Sequence, residues 1–104
     1  MKIKLLKEES YTPKWNDNEK NEKPIVFDLK YLTTGEMDDC VSLDGKYDTK
    51  QVFRYAVKAI HNLEVNDKAV TTADGVIETP GLSQLFYEVI GFVLRMNPVT
   101  DSKN

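Results

Sequence analysis

The chain contains a single cysteine, Cys40, and a single histidine, His61. A lone cysteine cannot form an intrachain disulfide, so burial of apolar side chains must hold the fold, as in proteins of a reducing cytoplasm. Structural zinc sites use about four cysteine or histidine ligands, and two such residues are too few. The sequence therefore predicts a cytoplasmic protein without a zinc site.

Long apolar runs and concentrated positive charge are also missing. The longest apolar stretch, 85–94, is interrupted by Glu88 and has about half of the roughly 20 residues that cross a bilayer. Residues 1–7 are basic, but their apolar run is too short for a signal peptide or an anchor. The net charge is -3, with Lys and Arg interspersed among Asp and Glu, whereas phosphate binding needs a concentrated basic surface. We expect neither membrane insertion nor nucleic acid as a partner.

The apolar residues make up 40% of the 104-residue chain, which is enough for the core of one compact domain. Alternation of apolar and polar residues over 25–31 predicts a strand with one buried face, and a weaker strand is predicted over 3–7. Residues 10–24, here called the polar arm, are rich in Asn, Lys and Glu and are too long for an ordinary connector. We expect one domain over 1–98 and a flexible tail over 99–104.

Two main amphipathic helices are predicted in the second half of the chain. The first is expected over 48–61, with Asp48 or Thr49 as its N-cap, because apolar side chains recur there at one-face spacing. The second is expected over 80–97, where a capping Thr79 precedes a proline at the first helical position. Seven apolar side chains on this second helix should form the centre of the core.

Shorter signals complete the predicted fold. Glu36 follows Thr33 at the spacing of a capping box, which predicts a short helical turn. Asn66 and Asp67 lie between two short apolar segments and suit the positive backbone angles of a two-residue hairpin turn. The predicted fold class is therefore α+β: a small antiparallel sheet with two main amphipathic helices and a short hairpin.

Candidate residues for catalysis or metal binding are few. Cys40 and His61 could form a nucleophile and base pair, but the favoured interpretation is a buried Cys40 and a His61 in the last turn of the first long helix. One acidic cluster is close together in sequence: Glu36, Asp38, Asp39 and Asp44. It lacks the alternation and closing glutamate of a calcium loop, so solvated acidic turns are the favoured interpretation. We expect no enzymatic activity, no cofactor and no metal.

Five residues are candidates for binding a partner protein: Tyr11, Trp15, Tyr87, Phe92 and Met96. The first two lie in the polar arm, and Tyr and Trp often anchor interfaces; the alternative is that the arm folds back over the domain's own core. The other three form a second apolar strip on the long helix, which must cover other parts of the domain or form an interface. If that strip is exposed, the isolated protein is expected to self-associate through it.

Several stretches resemble small proteins encoded in the tail modules of long-tailed bacteriophages. They are residues 11–18 (YTPKWNDN), 25–33 (IVFDLKYLT), 57–71 (VKAIHNLEVNDKAVT) and 80–82 (PGL). These proteins often have glycine at the position of Asp67, so this chain departs from their pattern in the tight turn.

This resemblance implies a tail assembly chaperone, or a minor tail or connector component. Its partners would be other tail proteins, met in the host cytoplasm or in the virion. The resemblance supplies no catalytic residues. The alternative is a phage-encoded inhibitor, equally small and acidic, that binds a host protein.

Overall fold

The computed structural model describes residues 1–97, so the tail predicted over 99–104 lies outside the described residues. Its elements follow in chain order: β1 (Glu8–Tyr11), a 3₁₀ segment (Trp15–Lys20), β2 (Val26–Lys30), α1 (Thr34–Asp39), α2 (Thr49–Ala56), β3 (Val57–His61), β4 (Glu64–Val65), β5 (Lys68–Ala69), α3 (Ala73–Glu78) and α4 (Ser83–Met96). The fold is α+β, as the sequence predicted.

Strand β2 is the centre of a three-stranded antiparallel sheet with the order β1-β2-β3. Phe27 of β2 lies opposite Tyr11 of β1 and Ile60 of β3. Phe27 and Leu29 are fully buried, which confirms the predicted core face of this strand. The opposite face, which carries Asp28, is accessible to solvent.

The strand predicted over 3–7 is wrong, because β1 begins only at Glu8. The carbonyl of Lys7 still accepts a hydrogen bond from the Tyr31 amide at 3.1 Å. After Tyr31 the chain turns away from the sheet, and α1 begins at Thr34. In the described part of the chain, residues 1–6 therefore have no strand beside them.

The first predicted long helix is correct only in its first half. Asp48 is the N-cap, and its side chain accepts a hydrogen bond from the Gln51 amide, but α2 ends at Ala56 and β3 follows without a loop. An apolar pattern such as the one at Val57 and Ile60 fits a helix or a strand equally well. Pairing with β2 decides the outcome, because β2 would otherwise lack a partner on that edge.

The second predicted helix starts later than expected. The cap assigned to Thr79 is wrong: this residue ends α3, and its hydroxyl donates to the carbonyl oxygen of Gly75 at 2.6 Å. The chain then turns at Gly81, whose φ is 93°, and α4 begins at Ser83. Helix α3, capped by Thr72, was not predicted, since six residues with a glycine give too short a periodic signal.

The short local signals are confirmed. Thr33 and Glu36 form a reciprocal capping box at the start of α1. Asn66 and Asp67 join β4 to β5 with φ values of 52° and 64°. Asp67 thus adopts the left-handed conformation that a glycine would adopt at less steric cost.

The core lies between the inner face of the sheet and helices α2, α3 and α4. The ring of Phe53 on α2 is fully buried, and its centroid lies 6.2 Å from that of Phe27 and 4.9 Å from that of Phe86 on α4. The predicted core set on the long helix is confirmed for six residues: Leu82, Leu85, Phe86, Val89, Ile90 and Val93. The seventh, Leu94, is half-buried.

The end of α4 is fastened to the segment between β2 and α1 through the buried side chain of Asn97. Its amide nitrogen donates to the carbonyl oxygen of Val93 at 3.0 Å, and its amide oxygen accepts from the Leu32 amide at 2.8 Å. The helix ends at Met96 with Asn97 as its C-cap. Pro98, to which the sequence assigned the stop, lies outside the described residues.

Ile90→Ala should lower the free energy of unfolding by about 2–5 kcal/mol, because it removes buried methyl groups and leaves a cavity. Gln84→Ala is the matched control, since Gln84 is exposed on the same helix. Chemical denaturation of both variants measures the difference. A loss below about half a kcal/mol for Ile90→Ala, the scale of a surface change, would show that this face of α4 is not in the core.

Candidate functional site

The polar arm lies on the long helix, and Glu88 of α4 holds it there. The Tyr11 hydroxyl donates to Glu88 Oε2 at 2.6 Å. The backbone amide of Lys14 donates to the same oxygen, also at 2.6 Å. Hydrogen bonds to a charged acceptor are stronger than neutral ones, so this carboxylate joins the start of the arm to the middle of the helix.

Two of the five candidate residues contact each other at this point. The rings of Tyr11 and Phe92 stack with their centroids 4.3 Å apart and their planes 20° apart. Both residues are half-buried. The guanidinium carbon of Arg95 lies 5.9 Å from the centroid of the Phe92 ring, within the range of a cation–π contact.

A buried amide gives the arm its shape. Asn18 is almost fully buried; its side-chain nitrogen donates to the carbonyls of Pro13 and Ile25 at 2.8 and 3.0 Å, and its oxygen accepts from the Ile25 amide at 2.7 Å. Just before it, Asn16 and Asp17 have φ values of 51° and 56°, a conformation that Asn and Asp tolerate better than most residues. The arm is thus folded back on its own domain, the alternative that the sequence left open.

The other three candidates lie in different surroundings. Trp15 and Met96 are half-buried and pack against the core. Tyr87 is 66% exposed, and it points roughly 140° around the helix from Phe92 at 100° per residue. The strip predicted on the long helix therefore does not form one continuous face: Phe92 and Met96 share one side, and Tyr87 lies on another.

Tyr87 borders a cleft between α3 and the start of α4, with a volume of about 270 Å³. The apolar part of its wall comes from Val76, Ile77, Pro80 and Phe86. Drug-sized ligands occupy pockets of about 300–1,000 Å³, so this cleft fits one side chain of a partner better than a cofactor. Sequence reasoning missed it because it missed α3, which supplies one wall.

A serine, an aspartate and the histidine meet on the solvent face of the sheet. Ser10 donates to Asp28 Oδ1 at 3.0 Å, and His61 Nε2 lies 2.7 Å from Asp28 Oδ2. In a catalytic triad the histidine contacts the serine, whereas here the carboxylate lies between them. The hydrogen bonds from His61 and then Ser10 lower the pKa of Asp28. The cluster was not predicted, because His61 was assigned to a helix instead of β3.

Cys40 does not share this site. Its side chain is buried, as predicted, and burial, with smaller effects from Asp39, Asp48 and Glu36, raises the pKa of its thiol. The thiolate is the nucleophilic form of cysteine. The environment of Cys40 therefore disfavours the form that a dyad with His61 would need.

Three of the four acidic side chains around α1, all but the exposed Asp38, have their own partners. Glu36 pairs with Lys30 and caps α1, Asp39 accepts a hydrogen bond from Tyr55 at 2.5 Å, and Asp44 accepts from Ser42. Within residues 1–97, no group of three or more His, Cys, Asp or Glu side chains is placed to hold a metal ion.

Two further results concern the whole described chain. Among residues 1–97, none of the helices combines the length and the apolar character needed to cross a bilayer. Comparison with protein families, curated proteins and solved structures gave no match for this chain.

The contact between Tyr11 and Glu88 should be visible in an alkaline titration. Burial, and then the hydrogen bond to Glu88, raise the pKa of Tyr11 from 10.0 to about 12. Because this pKa is higher in the folded state, its contribution to stability is complete below pH 10 and is lost as the pH rises towards about 12. Glu88→Gln should lower the pKa of Tyr11, since it removes the adjacent negative charge.

Tyrosinate absorbance, taken as the difference from a Tyr11→Phe variant, isolates this group among the tyrosines. An unchanged titration of Tyr11 in Glu88→Gln would show that the carboxylate does not hold the arm.

Proposed function

We propose that the protein is a non-enzymatic, protein-binding component of a long-tailed bacteriophage, either a tail assembly chaperone or a minor tail component. The resemblance of its arm, central strand and hairpin region to tail-module proteins supports this role. It would act in the host cytoplasm while tails are built, or enter the particle with its partner.

The single observation that carries the binding role is the exposed ring of Tyr87 beside an apolar cleft. Tyrosine is a frequent interface anchor, because its large amphipathic ring loses little conformational entropy on binding. The cleft lies next to the ring and has the size of one partner side chain. The charged residues Lys50 and Glu78 also line it and are exposed, so they supply a polar rim of the kind that surrounds interface cores.

The surface formed by Tyr11 and Phe92 has a second role in this proposal. Their half-buried rings remain partly accessible to solvent and also fasten the arm to α4, so truncation there should weaken binding and folding together. Tyr87 is 66% exposed, and the core contact of its ring is an edge-on one with Phe86, with the centroids 5.3 Å apart. Its truncation should therefore weaken binding more than folding. Trp15 is half-buried against the core. Like Tyr11 and Phe92, it should weaken binding and folding together when it is truncated.

Tyr87→Ala should weaken partner binding at least about tenfold, the loss expected for a truncated interface anchor. The free energy of unfolding should fall by no more than about 1.5 kcal/mol, the scale of the edge-on contact with Phe86 that the variant loses. Phe92→Ser and Trp15→Ala should lower both the partner affinity and the free energy of unfolding. The measurement is affinity purification from infected cells, followed by titration against the recovered protein and by chemical denaturation. Gln84→Ala is the surface control on the same helix.

The identity of the recovered protein decides between the two roles. A tail protein retained by the wild type and lost by Tyr87→Ala supports the assembly role. A host enzyme with the same dependence supports the inhibitor and contradicts the assembly role. Binding that is unaffected by Tyr87→Ala contradicts the proposed surface.

A double variant, Cys40→Ala with His61→Gln, should keep its partner affinity within about twofold. Neither residue borders the cleft, and neither has the environment that nucleophilic chemistry requires. The same titration measures the affinity, and circular dichroism confirms that the variant is folded. A folded double variant that loses function would contradict the non-enzymatic role.

A further inference from the structure

The segment before β1 exposes apolar side chains between lysines. Ile3, Leu5 and Leu6 are each more than half exposed, with Leu5 at 82%. Together with Lys7 and Tyr31 they border a groove of about 680 Å³ beside the sheet. Isolated exposed apolar residues are ordinary, but a contiguous set that lines a concavity marks an interaction site.

The rim of this groove is basic. Lys7, Lys30 and Lys58 line it, against the single carboxylate of Glu8. Lys30 pairs with Glu36, while Lys7 and Lys58 make no ion pair among residues 1–97. We call this site the basic groove; its occupant should carry an apolar side chain with acidic residues around it.

The chain itself displays a group of this kind in the turn between α1 and α2. Leu43 is as exposed as in an extended chain, at 110%, and no other side chain shelters it. The turn is closed by hydrogen bonds from the Ser42 amide to the Lys46 carbonyl at 2.8 Å and from the Gly45 amide to the Ser42 carbonyl at 2.9 Å. Gly45 has a φ of 81°, which allows the tight reversal. The turn therefore holds Leu43 away from the domain.

The sequence around Leu43 carries a net negative charge, because residues 38–48 contain four aspartates and one lysine, Lys46. Asp44 is adjacent, and hydrogen bonds from the Ser42 hydroxyl and the Lys46 amide lower its pKa, so it carries a negative charge at neutral pH. Asp38 and Asp48 lie nearby in the sequence and are exposed. We call Leu43 and these carboxylates the acidic knob.

We propose that the acidic knob of one copy of this chain docks into the basic groove of a second copy. Leu43 would cover the exposed Ile3, Leu5 and Leu6, and the aspartates would meet the free lysines of the rim. The exposure of Leu43 shows that it does not occupy the groove of its own chain. Because charge complementarity fixes the orientation, the contact selects this pairing over a random apolar one.

The knob and the groove are different surfaces, so the contact is heterologous. Such contacts form rings if the rotation between copies closes, and open chains if it does not. Neither surface includes Tyr87 or the cleft, so this self-association is independent of the proposed partner binding.

Sedimentation velocity over a range of protein concentrations tests the proposal. The wild type should associate as its concentration rises, and less so at high salt, because ions screen the exposed charges. Leu43→Asp on the knob and Leu5→Asp on the groove should each lower the association constant at least about tenfold, as expected for the loss of one buried leucine. Gln84→Ala, an exposed position outside the knob, the groove and the cleft, is the control and should associate like the wild type.

Mixing the two variants gives the sharpest result. Leu43→Asp keeps an intact groove and Leu5→Asp keeps an intact knob, so the mixture should form 1:1 dimers that grow no further, although each variant alone is monomeric. Both substitutions lie on exposed residues, and circular dichroism confirms that the variants remain folded.

Three outcomes would overturn the proposal. The first is a wild type that stays monomeric at all concentrations. The second is association that survives Leu43→Asp. The third is a monomeric wild type that co-sediments with vesicles of phosphatidylcholine and phosphatidylglycerol and loses this binding in Leu5→Asp but not in Leu43→Asp, which would assign the groove to an anionic lipid surface.

Discussion

Phe53 holds the sheet and the long helix together. Its ring lies between Phe27 of the central strand and Phe86 of α4, so three segments that are distant in sequence share one aromatic cluster. Tilted aromatic pairs at these distances contribute beyond the area that they bury. The position of α4, and with it the placement of every candidate binding residue on that helix, depends on this contact.

Glu88 couples the polar arm to that same helix. In the sequence it is only an interruption of an apolar run, and this break argued against a membrane span. In the structure its carboxylate accepts two hydrogen bonds from the arm, from Tyr11 and Lys14. One side of α4 is apolar and faces the core, and another side carries Glu88, which binds the polar arm. The charge of Glu88 is tolerated because these two hydrogen bonds satisfy its carboxylate.

Local signals in the sequence predicted the fold where a few neighbouring residues decide the conformation. The Thr33 capping box and the Asn66-Asp67 turn are of this kind. The helix expected across Val57 failed because a long-range pairing with β2 outweighed an ambiguous apolar pattern. For the site, the aromatic residues were identified, but their contacts were not: Tyr11 and Glu88 lie 77 positions apart, and no local periodicity reports such a pair.

The direct junction between Ala56 and Val57 restricts how this chain can change in length. One residue inserted in α2 would rotate the preceding side chains by about 100° around the helix axis, which would turn Phe53 out of the core. One inserted in β3 would exchange the two faces of the strand and carry Ile60 to the solvent. Insertions are therefore better tolerated at the exposed residues 19–23 of the polar arm than between Phe53 and Ile60, where the chain must keep its length.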